Sequence, residues 1–176
     1  MKQLRVNFDE IQKAMEDVSR NSFDYFFDYD TGEVITFSEE ILNQVKARLY
    51  ENDADEIEEG IEYIEFDEIP ELPDWMEDEI ELALEIIFDV KERYFSIPER
   101  RSSMAFQTKA GFTEQVEDPL LKERLSAALN GKGAFRNFKD VLLDYPKERK
   151  RWHGYNAKEM KKEIIQWLNS IGVEPV

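Results

Sequence analysis

The stretch Phe23-Asp-Tyr-Phe-Phe-Asp-Tyr-Asp-Thr-Gly-Glu-Val-Ile-Thr-Phe37 decides the fold class. Its first half, to Asp28, is aromatic and strand-like. Asp28-Tyr-Asp-Thr-Gly32 reads as a tight turn: Asp carboxylates accept bonds from nearby backbone amides, and Gly adopts positive φ without steric cost. Glu33 to Phe37 is the return strand. Helical patterns flank this hairpin. Before it, Asn7 is placed to cap a helix in which Phe8, Ile11, Met15 and Val18 recur at helical spacing, with Asp9 and Glu10 in the turn where the dipole favours anions. After it, Ser38 is placed to cap a helix that turns Ile41, Leu42, Val45 and Leu49 inward. A hairpin among helices predicts an α+β protein with a small antiparallel sheet. The chain of 176 residues is expected to form a single domain, with an α+β acidic lobe over 1–98 and a helical, basic-leaning lobe over 99–176.

Further along, Asn52 to Gly60 reads as an acidic loop, and the alternation over Ile61 to Ile69 predicts a third strand. A helix is expected from Asp74 to about Asp89, with Pro73 before it, Asp74 as cap and Glu77 completing a capping box. Met76, Ile80, Ala83, Leu84 and Ile87 form its apolar stripe. Tyr94 to Ile97 is a short strand ended by Pro98. Asp118-Pro119 is an N-cap followed by an N1 proline, ahead of a stripe of Leu121, Leu125, Ala128 and Leu129. Gly131 ends that helix, and the next carries Phe135, Phe138 and Leu142 up to Pro146. Asn156 is read as the cap of a last helix, with Glu159 three residues on, Met160, Ile164, Trp167, Leu168 and Ile171 buried, and Gly172 as its stop.

The charge is polarised. Between Leu49 and Val90 there are eighteen acidic side chains and no Lys, Arg or His, while the remainder holds 22 acidic and 23 basic groups. The net charge of −17 therefore resides in one segment. Twelve Phe, seven Tyr and three Trp are enough for a core and argue against a disordered acidic chain. With no cysteine, disulfides, thiolate zinc sites and Cys nucleophiles are excluded. The opening MKQLRVNFDE has no apolar h-region, and no apolar run approaches the roughly 20 residues of a membrane span. A cytoplasmic protein without membrane attachment is expected.

Two surfaces are candidates for binding. Asp78, Glu81, Glu85 and Asp89 recur at helical spacing opposite the apolar stripe, presenting a row of like charges. The second candidate, Asn130-Gly-Lys-Gly-Ala-Phe-Arg-Asn-Phe-Lys139, joins two glycines, two aromatics and three basic groups, so that amides at a helix N-terminus with Lys132, Arg136 and Lys139 nearby suit an anion. The plainer reading of that run is a corner between helices with Phe135 and Phe138 in the core. Lys147-Glu-Arg-Lys-Arg-Trp152 adds Arg149 and Arg151 beside an aromatic, a composition found at nucleic-acid contacts and on ordinary helix surfaces.

Other patterns resolve to structure. Asp28-x-Asp30-Thr-Gly has the aspartate pair of phosphatases that form an aspartyl-phosphate, but its Thr-Gly order and immediate return strand favour a hairpin turn. The calcium-loop spacing over the same stretch fails for a misplaced Gly. His153 is the sole histidine and cannot build a multi-histidine site. No Walker loop, nucleophile elbow or paired-histidine motif is present, so no cofactor, metal ligand set or catalytic residue is expected.

Ser126-Ala-Ala-Leu-Asn-Gly-Lys-Gly-Ala-Phe-Arg-Asn-Phe-Lys-Asp140 resembles the signature of a bacterial uncharacterised protein family. Phe27-x-x-x-Thr-Gly-Glu-Val34, Arg93-Tyr-x-x-Ile-Pro98, Trp152 and Trp167-Leu-x-x-x-Gly172 add to the resemblance. It implies no activity and no catalytic residues. The expected function is a non-enzymatic binding or regulatory protein that engages a protein partner through its acidic segment. The alternatives are nucleic-acid contact through the basic C-terminal lobe, and a metal-assisted hydrolase using clustered carboxylates with Asp28 or Asp30 as helpers.

Overall fold

A computed structural model describes residues 1–18, 20, 22–51, 74–89 and 91–176. The expected loop over 52–60 and strand over 61–69 lie outside the described residues, as does Pro73. The described part is α+β, with seven helices and five short strands in two sheets among the described residues. It groups into two compact units: one of residues 1–16 with 98–176, the other of residues 17–97.

The hairpin forms as its sequence dictates. Strands β2 (Phe23–Asp28) and β3 (Val34–Ser38) pair antiparallel, Tyr25 opposite Thr36 and Phe27 opposite Val34. At the turn, Asp28 Oδ1 accepts from the Asp30 amide at 2.8 Å, and Gly32 takes φ +80°. Strand β4 (Tyr94–Ser96) pairs with the other edge of β2, which gives the order β3-β2-β4. Among the described residues this unit also holds two helices, α2 (Glu39–Glu51) and α3 (Asp74–Ile87). Phe37, Leu42, Val45 and Ala83 are buried together, with Ile80, Leu84 and Ile87 packed against them. Burying each large apolar side chain contributes about 1.5–3 kcal/mol. That outweighs the repulsion along the acidic side of α3, at about 0.2–0.5 kcal/mol per like-charge pair.

The other unit is mostly helical. Helix α1 (Phe8–Glu16) is capped by Asn7, whose Oδ1 accepts from the amides of Asp9 at 3.1 Å and Glu10 at 3.4 Å. Val18 departs from the expected stripe: the helix ends at Glu16, and Val18 is 96% exposed. Helix α4 spans Ser102–Glu114 and α5 spans Pro119–Asn130. Asp118 caps α5 through the amides of Leu120 and Leu121, and Leu121, Leu125, Ala128 and Leu129 are all buried. Helix α6 (Ala134–Leu143) starts after Gly133, which sits in the left-handed region at φ +68°. Phe112, Phe138, Leu142 and Trp152 form its core with the leucines of α5.

Helix α7 corrects the reading of Asn156. It runs unbroken over Pro146–Ser170, with Pro146 in its first turn, so Asn156 is interior and caps nothing. The reason lies in the stripe Trp152, Met160, Ile164 and Leu168, buried at four-residue spacing on both sides of Asn156. Burial along that stripe carries the helix through a residue with cap chemistry. Gly172, at φ +82°, stops the helix and releases strand β5 (Val173–Pro175). This strand pairs in parallel with β1 (Lys2–Leu4), and α1 packs on α7. These two contacts group residues 1–16 with the helical part, where the sequence suggested one division near residue 98.

Candidate functional site

The acidic row divides in two, and its last member, Asp89, lies beyond the end of α3 at Ile87, where the sequence suggested helix to about Asp89. Asp78 and Glu81 are exposed. Glu85 and Asp89 serve the fold: Glu85 Oε2 accepts from the Tyr94 hydroxyl at 2.9 Å, and Asp89 accepts from the amides of Arg93 at 3.0 Å and Tyr94 at 2.7 Å. Asp89 thereby ties off the turn from α3 into β4, where Glu92 takes φ +52°. Arg93 completes the tie. Its Nε donates to Asp28 Oδ1 at 2.9 Å and its Nη2 to Oδ2 at 2.7 Å. Asp28 is 4% exposed, and the Arg93 bonds lead the effects that hold its carboxyl down at about 2. Burial first, then the bond to Glu85, pushes the Tyr94 hydroxyl up to about 12. Asp28 is thus an acceptor within a hairpin and a β-edge. Among the described residues, no group of three or more carboxylates or histidines is arranged to hold a metal ion.

The basic candidates lie in the helical unit. Lys132, Arg136, Lys139, Arg149 and Arg151 are all exposed. Arg136 Nε stands 3.9 Å from Asp140 on its own helix, and Arg151 pairs with Glu148 at 2.9 Å. Phe138 is fully buried behind the corner, and Asn137 Nδ2 donates to the Lys132 carbonyl at 2.9 Å across it. His153 is exposed on α7.

Two residues of this unit escaped the sequence reading. Arg100 is nearly buried and saturated: Nε and Nη2 donate to Glu163, Nη1 to Glu16 and Asn156, and Nη2 to Thr108 at 2.7 Å. It joins α1, α4 and α7. Lys109 is only 6% exposed and has an aromatic surround. Its Nζ lies 4.1 Å from the centroid of Phe135, 5.4 Å from Trp152 and 6.0 Å from Phe138. Desolvation, reinforced by the charges of Arg100 and Lys139, brings its ammonium down to about 8. The available signal was its position: Lys109 falls on the same face of α4 as Ala105 and Phe112, where an apolar residue is expected.

With the fold and these surfaces described, the class of protein follows from comparison. A family model described as "Uncharacterised protein family (UPF0158)" matches residues 42–176, well over half of the chain, and the chain belongs to that family. The matched span begins within α2, so it takes in α3, the turn to β4 and the whole helical C-terminal part, and leaves out the hairpin. Among curated proteins, the chain is similar to UPF0158 protein PA5073 of Pseudomonas aeruginosa, with 25% identity over 84 residues. That alignment covers 48% of this chain and 55% of the relative, so the chain spans about half the length of the curated protein it matches. No solved structure matches it. None of the helices among the described residues is long and apolar enough to cross a membrane.

Proposed function

We propose that the protein is a non-enzymatic binding protein of the cytoplasm, whose acidic unit engages a basic surface on a partner protein. The observation that carries this reading is the charge of the two units. Residues 17–97 hold 26 acidic and 5 basic groups, net −21, while residues 1–16 with 98–176 hold 14 and 18, net +4. A field divided this way between compact units steers an oppositely charged partner to one of them. Asp78 and Glu81 are the contact residues of the α3 row, because Glu85 and Asp89 already accept bonds that hold β4. The Gly131-Lys-Gly-Ala-Phe135 run is taken as a family signature whose role is a folding corner, supported by the left-handed φ of Gly133 and the buried Phe138.

The test is affinity capture from a bacterial lysate at low and high salt, read by mass spectrometry, with the intact chain and with Asp78→Asn/Glu81→Gln. The expected result is a partner with a basic surface, retained at low salt, released at high salt and lost in the double variant. A partner that survives neutralisation of both residues overturns the reading. Nucleic acid is the competing ligand. Labelled DNA or RNA that binds the intact chain, and no longer binds Arg149→Gln/Arg151→Gln, would move the assignment to the helical unit.

A further inference from the structure

Lys109 is the unexplained charge of the helical unit. Ionised groups taken out of water are normally paired. Its neighbour Arg100 obeys that rule, with donors spread over Glu16, Glu163, Asn156 and Thr108. Lys109 does not. Among the described residues its ammonium meets no carboxylate and no hydrogen-bond acceptor, only the faces of Phe135, Phe138 and Trp152. Among the described residues no fully enclosed side-chain nitrogen is left without a partner, so the tip of Lys109 reaches the surface from within its ring surround. A structural explanation would treat Lys109 as a stem packed on aromatics with its tip in water. The charges around the tip speak against that. Lys139 stands one turn beyond Phe135 on α6, whose ring lies 4.1 Å from the Lys109 ammonium, and Arg100 and then Lys139 act on that ammonium with like sign, while the opposing effect of Glu16 is smaller. Lys139 is exposed and pairs with no carboxylate among the described residues. The helix that carries Phe135 and Lys139 also starts without a side-chain cap, leaving its first-turn amides open.

We infer that Lys109 and Lys139 form a site for a small phosphate-type oxyanion, with Lys109 as the buried anchor and Lys139 as its exposed partner. A tetrahedral dianion offers oxygens to two ammonium groups at once and replaces their repulsion with attraction. It also gives Lys109 the acceptors that its three rings do not supply. The site lies in the helical unit and is independent of the acidic surface proposed above. Free phosphate and the terminal group of a phosphomonoester present the same chemistry.

The experiment uses the full chain with inorganic phosphate, phenyl phosphate, and chloride at matched ionic strength. For the intact protein, the thermal midpoint should rise by roughly 3–5 °C over chloride once phosphate is about tenfold above its dissociation constant. Lys109→Met, which keeps the length and apolar character of the stem, should lose that rise, and Lys139→Gln should weaken binding about tenfold. In lysine-labelled intact protein, the Cε resonance of Lys109 should titrate at higher pH with phosphate than with chloride; this needs no variant to fold. Phenyl phosphate binding more tightly than phosphate would identify a monoester ligand, and equal binding the free anion. No rise over chloride, a rise retained in Lys109→Met, or an unmoved Lys109 titration would each overturn the site.

Discussion

The guanidinium of Arg93 forks onto the carboxylate of Asp28, Nε to Oδ1 at 2.9 Å and Nη2 to Oδ2 at 2.7 Å. The pair locks the hairpin turn to strand β4, since Asp28 also accepts from the Asp30 amide. Replacing Asp28 by Ala removes charge-assisted bonds and the turn's own acceptor. The expected loss is about 2–3 kcal/mol in chemical denaturation of the sheet unit. The pH dependence has a definite sign. The folded pKa, near 2, lies below the ordinary 3.8, so the contribution is complete above pH 4 and lost as pH falls from about 4 towards 2. Acid unfolding followed by circular dichroism should be shallower over that window in Asp28→Asn than in the intact protein.

Arg100 sits at the junction of α1, α4 and α7, its side chain 5% exposed. Arg100→Met should leave Glu163, itself largely buried, without its cation, and should cost about 3–5 kcal/mol. Arg100→Lys keeps the charge but cannot reach Glu163, Glu16, Asn156 and Thr108 together, because an ammonium lacks the planar fork. It should recover less than half of the loss. Arg100→Lys as stable as the intact protein would show that charge alone, without geometry, holds the junction.

What the sequence disclosed follows from the range of its signals. The hairpin at Phe23–Phe37 and the cap and stripe of Asp118–Leu129 are local patterns, and they form where expected. Asn156 misled because cap chemistry is also local, whereas the stripe from Trp152 to Leu168 that overrides it spans the helix. The parallel pairing of Lys2–Leu4 with Val173–Pro175 joins the two ends of the chain through three-residue strands, too short to carry a period. Of the acidic row, periodicity found the face, but only the placement of Tyr94 and the Arg93 amide showed that Glu85 and Asp89 are already engaged. Lys109 was legible in part: a charged residue on the core face of α4 is visible in the spacing, while the rings around it come from α6 and α7.

Gly111 on α4 marks a close approach. A Cβ placed there would stand 2.7 Å from the Tyr155 hydroxyl oxygen. The Tyr155 ring is packed against Phe112, with centroids 5.6 Å apart, so it cannot swing aside freely. Gly111→Ala therefore sets a helix-propensity gain of about 1 kcal/mol against an overpacking cost of about 1–3 kcal/mol. Net destabilisation is expected. Tyr155→Phe removes the atom that clashes, so Gly111→Ala/Tyr155→Phe should be more stable than Gly111→Ala alone. A double-mutant cycle by urea denaturation reads this coupling, and strict additivity would contradict it.

The ammonium of Lys109 should leave its own mark on stability. Its folded pKa is about 8 against 10.5 in the unfolded chain, because burial, Arg100 and Lys139 all disfavour the charge, with Glu16 opposing them less strongly. Between those two values the unfolded chain holds a proton that the folded protein has given up. By linkage, this group makes stability rise with pH over roughly 8 to 10.5 and imposes a constant penalty below 8. Lys109→Met removes the titration while keeping the packed stem. The variant should therefore match or exceed the intact protein at pH 7, with the advantage shrinking as pH climbs towards 10. Urea denaturation of both proteins at pH 7, 8.5 and 9.5, in chloride without phosphate, measures the difference. A constant gap between the two proteins would mean that Lys109 keeps an ordinary ammonium despite its surround of Phe135, Phe138 and Trp152.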